Sequence, residues 1–281
     1  MKMSVMLFPF HSRLTNGELT AKQLVADFAA EGVTAIEPMM SWIVAQPDKW
    51  AEFDKAARDA GMVYSCYDVG VNLIGETEAD RAAALDTVAE GVEFCVEKLQ
   101  CPVALLPGTK PSTGMSNEDG RKLYGEGLAK SVERTKGSGV TLTIEDFGVY
   151  PAFAASGAHC AEVIEASNCP DVKFTFDNGN FLIADDTPTN AYGLLKDRTV
   201  HVHIKDFAFR EDDGKKGLAS PGGKLFKGCM IGDGAGEVAE CLQLLKADGY
   251  DGWISLEVGG GDPVVEAIHG AKFVTKAWEE A

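Results

Sequence analysis

Eight times along this chain a short apolar, β-branched run passes through a polar or glycine-containing turn into a longer stretch of helical periodicity. That alternation restricts the fold more than any other feature. Strands separated by helices pair in parallel, since antiparallel neighbours need only a tight turn. The apolar runs lie near residues 3–8, 33–37, 62–69, 103–106, 140–145, 172–177, 199–204 and 253–257. The helical stretches lie near 20–31, 48–60, 78–99, 117–136, 157–167, 188–196, 238–247 and 263–280. Runs such as VTLTIE and DVKFTFD alternate in polarity, as expected when one face looks into a barrel and the other onto helices. Eight βα units in 281 residues match the count and length of a (β/α)8 TIM barrel, a single domain over 1–281. A doubly wound α/β sheet is the structural alternative, but no G-x-G-x-x-G or P-loop follows an early strand. Gly32, Gly61 and Gly249 each close a helical stretch, and Ser116 with Asp119 resembles a capping box.

Charge narrows the partners. Against 26 Lys and Arg stand 43 Asp and Glu, a formal net charge of −17 that would repel both nucleic acid and an anionic membrane surface. The 7 cysteines are odd in number and form no C-x-x-C pair, so reduced, mostly buried thiols in a cytoplasmic protein are expected. The amino-terminal run is interrupted by His11 and Arg13 and reads as a first strand, with no leader expected. No run approaches the ~18 apolar residues of a membrane-spanning helix.

Chemistry collects at strand ends. TLTIE ends at Glu145, VKFTFD at Asp177, TVHVH at His203 and WISLE at Glu257. In a parallel barrel every strand opens its C-terminal end on one face, so these side chains converge although far apart in sequence. The first two intervals each fit one βα unit of about 30 residues, while a long loop precedes the last strand. Any one of these residues alone reads as a solvated or helix-capping group. Together, buried carboxylates are costly to ionise beside one another, and a divalent cation resolves that conflict. Oxygen donors with one imidazole suit Mn, Mg or Co and admit Zn. His201 shares a strand face with His203, so the pattern leaves the imidazole open between them.

The motifs IED at 144–146, FDNGNF at 176–181, HVHIKD at 201–206, GDGAGE at 232–237 and DGWISLE at 251–257 carry a resemblance. The chain resembles the xylose-isomerase-like TIM barrel superfamily, in its sugar (phosphate) isomerase/epimerase branch, over essentially all eight units. The resemblance implies one divalent metal ion on Glu145, Asp177, His203 and Glu257, with His201 deeper. Two positions depart from the ketose 3-epimerases of that superfamily. Pro151 stands where a substrate-binding Glu is expected, and Asn180 where a His is common. Both remove ionisable contacts to a sugar and leave the metal set intact.

Such a site suits proton transfer next to a carbonyl through an enediolate, with Glu145 and Glu257 as the acid/base pair. An isomerase or epimerase acting on a small-molecule carbohydrate or derivative is therefore expected. The alternative is an inosose-dehydratase-like lyase on the same metal site. An abasic-site endonuclease of this superfamily would need a three-zinc cluster, and the chain has only 5 histidines. A non-catalytic sugar-binding barrel would lack a ligand. Candidate substrate contacts are Glu37 and Trp42 of EPMMSW, Asn180, Lys205 and Arg210, weighed against capping, packing and internal ion pairing. His11, just past the first strand, can also reach the mouth, against a solvated loop histidine. The long loop at 207–236 suggests a lid, and its Arg210, Lys215, Lys216, Lys224 and Lys227 suggest a phosphate or carboxylate on the substrate, against simple solvation. Barrels of this kind often pair, so a homo-oligomer is also compatible.

Overall fold

The computed structural model describes residues 1–212, 214 and 217–281. Its strands in chain order are β1 (Lys2–Met6), β2 (Ala35–Glu37), β3 (Val63–Tyr64), β4 (Tyr67–Asp68), β5 (Val103–Leu105), β6 (Thr141–Glu145), β7 (Lys173–Asp177) and β8 (Thr199–Ile204). Three short strands follow, β9 (Phe207–Phe209), β10 (Leu218–Ala219) and β11 (Leu225–Gly228), and then β12 (Trp253–Leu256). Nine of these form one parallel sheet in the order β3-β2-β1-β12-β8-β7-β6-β5-β4. The two ends, β3 and β4, are halves of one continuous run. Its first half pairs with β2 and its second with β5, so residues 63–68 bridge the sheet's two edges and bring the barrel to near closure. The single strand expected at 62–69 is thus split, because each half bonds to a different neighbour.

The outer layer follows the expected order: helices Ala21–Ala30, Pro47–Asp59, Glu78–Phe94, Asn117–Arg134, Gly157–Ser167, Pro188–Leu195, Val238–Ala247 and Pro263–Glu280. Ser116 Oγ accepts from the Asp119 amide and starts one of them. Gly32, Gly61 and Gly249 sit at φ of 77°, 75° and 73°, where a side chain would be strained.

Strand alternation divides the interior in two. Val5, Ile36, Ile144, Phe174, Phe176, Val202, Ile204 and Leu256 belong to the large apolar core. Their neighbours on the opposite strand face are mostly polar: Ser4 bonds Ser65 at 2.6 Å, and Thr143 bonds Thr175 at 2.8 Å. His201, His203 and Ser255 share that second face and are fully buried. A small apolar cluster, Cys66, Val103 and Leu105, separate from the large core, accompanies them with Ala35 and Met6. The alternation of TLTIE, KFTFD and TVHVHI therefore builds a polar lumen inside an apolar shell, and the lumen face is the one that ends in Glu145, Asp177 and His203.

The segment expected as a lid is partly folded. Strands β10, β11 and β9 form a small antiparallel sheet beyond the strand ends. Lys215 and Lys216 lie outside the described residues. All seven cysteines are free, with Cys66, Cys95, Cys101, Cys160 and Cys241 buried. Among the described residues no helix is long and apolar enough to cross a membrane.

Candidate metal centre and active site

β6, β7, β8 and the residue after β12 bring Glu145, Asp177, His203 and Glu257 together, each offering a donor atom within 4.8 Å of the others. The FDNGN turn explains how Asp177 is held. Its Oδ1 accepts from the amides of Gly179 (3.0 Å) and Asn180 (3.3 Å), capping the short helix Asn178–Ile183. Its Oδ2 is left to face the site. Gly179 is required here because a Cβ would lie 2.4 Å from the Lys205 side chain that passes over it.

His203 is fixed from behind. Its Nε2 lies 2.8 Å from Glu37 Oε1, and His201 Nε2 lies 2.9 Å from Glu37 Oε2. Burial works against ionisation of Glu37, but the two histidines outweigh it and hold its carboxyl well below the usual range. An ionised carboxylate only accepts, so both Nε2 atoms carry their protons and donate. That leaves His203 Nδ1 pointing forward, 3.4 Å from both Glu145 Oε2 and Glu257 Oε2 and without a hydrogen-bond partner. A lone pair facing two carboxylates is repulsive unless a cation, either a proton or a metal ion, sits between them. Burial lowers the basicity of His203, yet the surrounding carboxylates raise it well above the usual imidazole value, so a proton takes that role when no metal does. The donor set, its convergence and the orphaned Nδ1 fit a divalent cation.

Lys205 lies beside this set. Its Nζ donates to Asp177 Oδ2 at 2.7 Å and Glu257 Oε1 at 2.6 Å, and reaches Asn180 Oδ1 at 3.4 Å. Asn180 in turn donates to Asp177 Oδ2 and to the Asp146 carbonyl. Burial pushes the Asp177 carboxyl up to about 7 although Lys205 opposes it. Burial also acts on Glu257, but Lys205 and His203 prevail and bring it down to about 2. The next residue in the HVHIKD motif has a separate task. Asp206 accepts from the amides of Phe207, Gly232, Gly234 and Gly236, folding the GDGAGE turn around one carboxylate.

A cavity of about 450 Å³ opens above these groups, with Glu145, Asn180, Lys205 and Glu257 in its lining. Three expected substrate contacts are placed elsewhere. Glu37 is fully buried with both oxygens taken by histidines, so it positions His203 instead of meeting a sugar hydroxyl. Trp42 is packed against Trp50 and Phe53, stacks on His11 at 4.7 Å and donates to Thr15, outside the cavity. His11 lies between Trp42 and the cavity-lining Phe8 but does not itself line the cavity. Arg210 sits at the end of β9 beside Gly217, also outside the lining, and Lys224 pairs with Asp185 at 3.4 Å. Among the described residues, none of the loop's basic side chains lines the cavity. Asp68 was not anticipated. It lies at the end of β4, is buried, lines the cavity, and neither of its oxygens has a hydrogen-bond partner. Its only sequence signal was its place at a strand end.

The family model described as xylose isomerase-like TIM barrel matches residues 25–277. The L-ribulose-5-phosphate 3-epimerase UlaE of Shigella flexneri serotype 5b is 25% identical over 205 residues, which is 72% of this chain. The match spans 66% of that enzyme's length. The IOLI protein, solved with a zinc atom, superposes with a TM-score of 0.75 at 16% identity, covering 100% of this chain and 99% of that one. AsbF of Bacillus anthracis, assigned as a 3-DHS dehydratase of petrobactin synthesis, gives 0.74 at 14% identity and covers 98% and 99%. At these identities the two structures speak for the fold.

Proposed function

The chain belongs to the xylose isomerase-like TIM barrel family, and from that premise we propose a divalent-metal-dependent isomerase or epimerase that moves a proton next to the carbonyl of a sugar or sugar derivative. One observation carries the reading: Glu145 and Glu257, both in the cavity wall, flank His203 Nδ1 at 3.4 Å each. Glu145, Asp177, His203 and Glu257 would hold the ion, of Mn, Mg, Co or Zn, and the zinc reported with the IOLI protein supports such a site. When bound, a divalent cation supplies Lewis acidity that stabilises negative charge developing on the substrate oxygens.

The chain's own residues then do the rest. One of Glu145 and Glu257 removes the proton and the other returns one, to the opposite face in an epimerase or to the neighbouring carbon in an isomerase. Lys205 holds Glu257 ionised and in place, so the base is charged across the neutral pH range. Asn180 and Lys205 line the cavity with their donors engaged by Asp146, Asp177 and Glu257, so a substrate oxygen meets them by displacing one of those partners. The epimerase UlaE supports this class, and AsbF marks the lyase branch, in which the same carbanion expels a β-hydroxyl. Metal analysis of the purified protein, followed by NMR detection of solvent deuterium entering the carbon beside the carbonyl, tests the proposal. Exchange is expected in the metal-loaded protein, lost on chelation and lost in a folded Glu145→Gln variant. Undiminished exchange in that variant overturns the assignment, and a dehydrated product would move the enzyme to the lyases.

A further inference from the structure

Resting on that proposed reaction, we infer that the substrate is amphipathic: a hydroxyketone with its polar end inward at Asp68 and an apolar substituent, not a phosphate, at the mouth. Phe8, Phe147, Val149, Phe207, Leu218 and Val258 give the cavity a large apolar lining. Two of these, Phe8 and Val149, are 56% and 61% exposed although large and apolar. Side chains of this kind at the rim of a catalytic cavity gain from being covered, and a ligand placed against Glu145 and Glu257 is what the geometry brings to them. A polyhydroxylated or phosphorylated tail would exchange water for this wall and leave its own polar groups unpaired.

One buried group in the lining has the opposite character. Asp68 is 2% exposed, faces the same cavity, and both its oxygens lack a hydrogen-bond partner. A buried carboxyl in that state needs a hydrogen-bond partner, and a substrate hydroxyl, which can donate or accept, is the group a sugar derivative presents. Among the described residues the lining holds one lysine, Lys205, which already serves Asp177 and Glu257, so no second described cation faces a phosphate there.

Calorimetric binding to the manganese-loaded protein tests this with three probes: a neutral ketopentose, its 5-phosphate and its 5-O-benzyl ether. The benzyl ether is expected to bind at least tenfold more tightly than the ketopentose, with the phosphate no tighter than the parent. Val149→Ser, at a site too exposed to threaten folding, should cut the benzyl preference several-fold, and Asp68→Ala should weaken all three probes by a similar factor. Tightest binding of the phosphate, or no benzyl preference, overturns the apolar end. Unchanged binding in Asp68→Ala overturns the polar end. Failure of the proposed reaction reads out separately, as benzyl preference without deuterium uptake into any probe.

Discussion

At the scale of single residues, the centre depends on which nitrogen of His203 carries a proton, and Glu37 decides that from behind the ring. Its two oxygens accept from two histidines at 2.8 and 2.9 Å, so removing its charge should loosen both rings. Glu37→Gln keeps the shape but offers an amide that can accept through only one of its two ends. Metal affinity should fall by roughly 10–100-fold, the range typical of lost partners behind a ligand, with the barrel still folded. Calorimetric titration with manganese checks this, and an unchanged affinity would remove Glu37 from the site. The sequence could not show this role. Strand-end position marked Glu37 as a residue at the mouth, but its partners are 164 and 166 residues away and meet it only across the closed lumen. Asp68 was hidden for a different reason, since the run it ends is divided between two strands. The convergence of Glu145, Asp177, His203 and Glu257 was legible because its signal is local: three are the last inward-facing residue of their strand, and Glu257 directly follows β12.

Among elements, the turn at 232–236 shows how one carboxylate can organise a glycine-rich segment. Asp206 takes four backbone amides, and a Cβ at Gly234 would lie 2.2 Å from Asp206 Oδ1. The GDGAGE motif is glycine-rich because the chain must wrap that closely. Asp206→Ala would leave amides without their acceptor, at a cost on the order of 3 kcal/mol after partial rehydration. Urea denaturation should show that loss, with partial recovery in Asp206→Asn, whose single carbonyl oxygen still accepts. Stability equal to the parent would mean that the turn is held by other contacts. The helices and parallel strands around this turn were readable from periodicity alone. The antiparallel sheet of β9, β10 and β11 was not, because strands of 3, 2 and 4 residues are too short for alternation to register. Arg210 likewise reads as a substrate contact because it lies in a basic loop, whereas it follows β9 outside the cavity lining.

For the whole molecule, the division into apolar shell and polar lumen concentrates negative charge at one end of a chain that is already at −17. Glu145, Asp177 and Glu257 meet with only Lys205 and His203 to offset them, and Asp146 and Asp68 lie buried close by. The strain shows in Asp177. Burial holds its folded-state carboxyl near 7, above its value in an unfolded chain, so without a metal the folded barrel loses stability as pH rises from about 4 through 7. A divalent cation that requires the ionised carboxylate cancels that penalty and competes with the proton below about pH 7. Metal added at about a hundred times its dissociation constant should therefore stabilise the barrel by about 2.7 kcal/mol, a rise of several degrees in melting temperature. At fixed metal concentration the rise should be larger at about pH 8 than at about pH 6, and chelation should reverse it. Melting curves with manganese, magnesium, cobalt and zinc at both pH values measure this. No rise with any of the four, or a rise greater at the lower pH, would show that Glu145, Asp177, His203 and Glu257 do not hold a cation together.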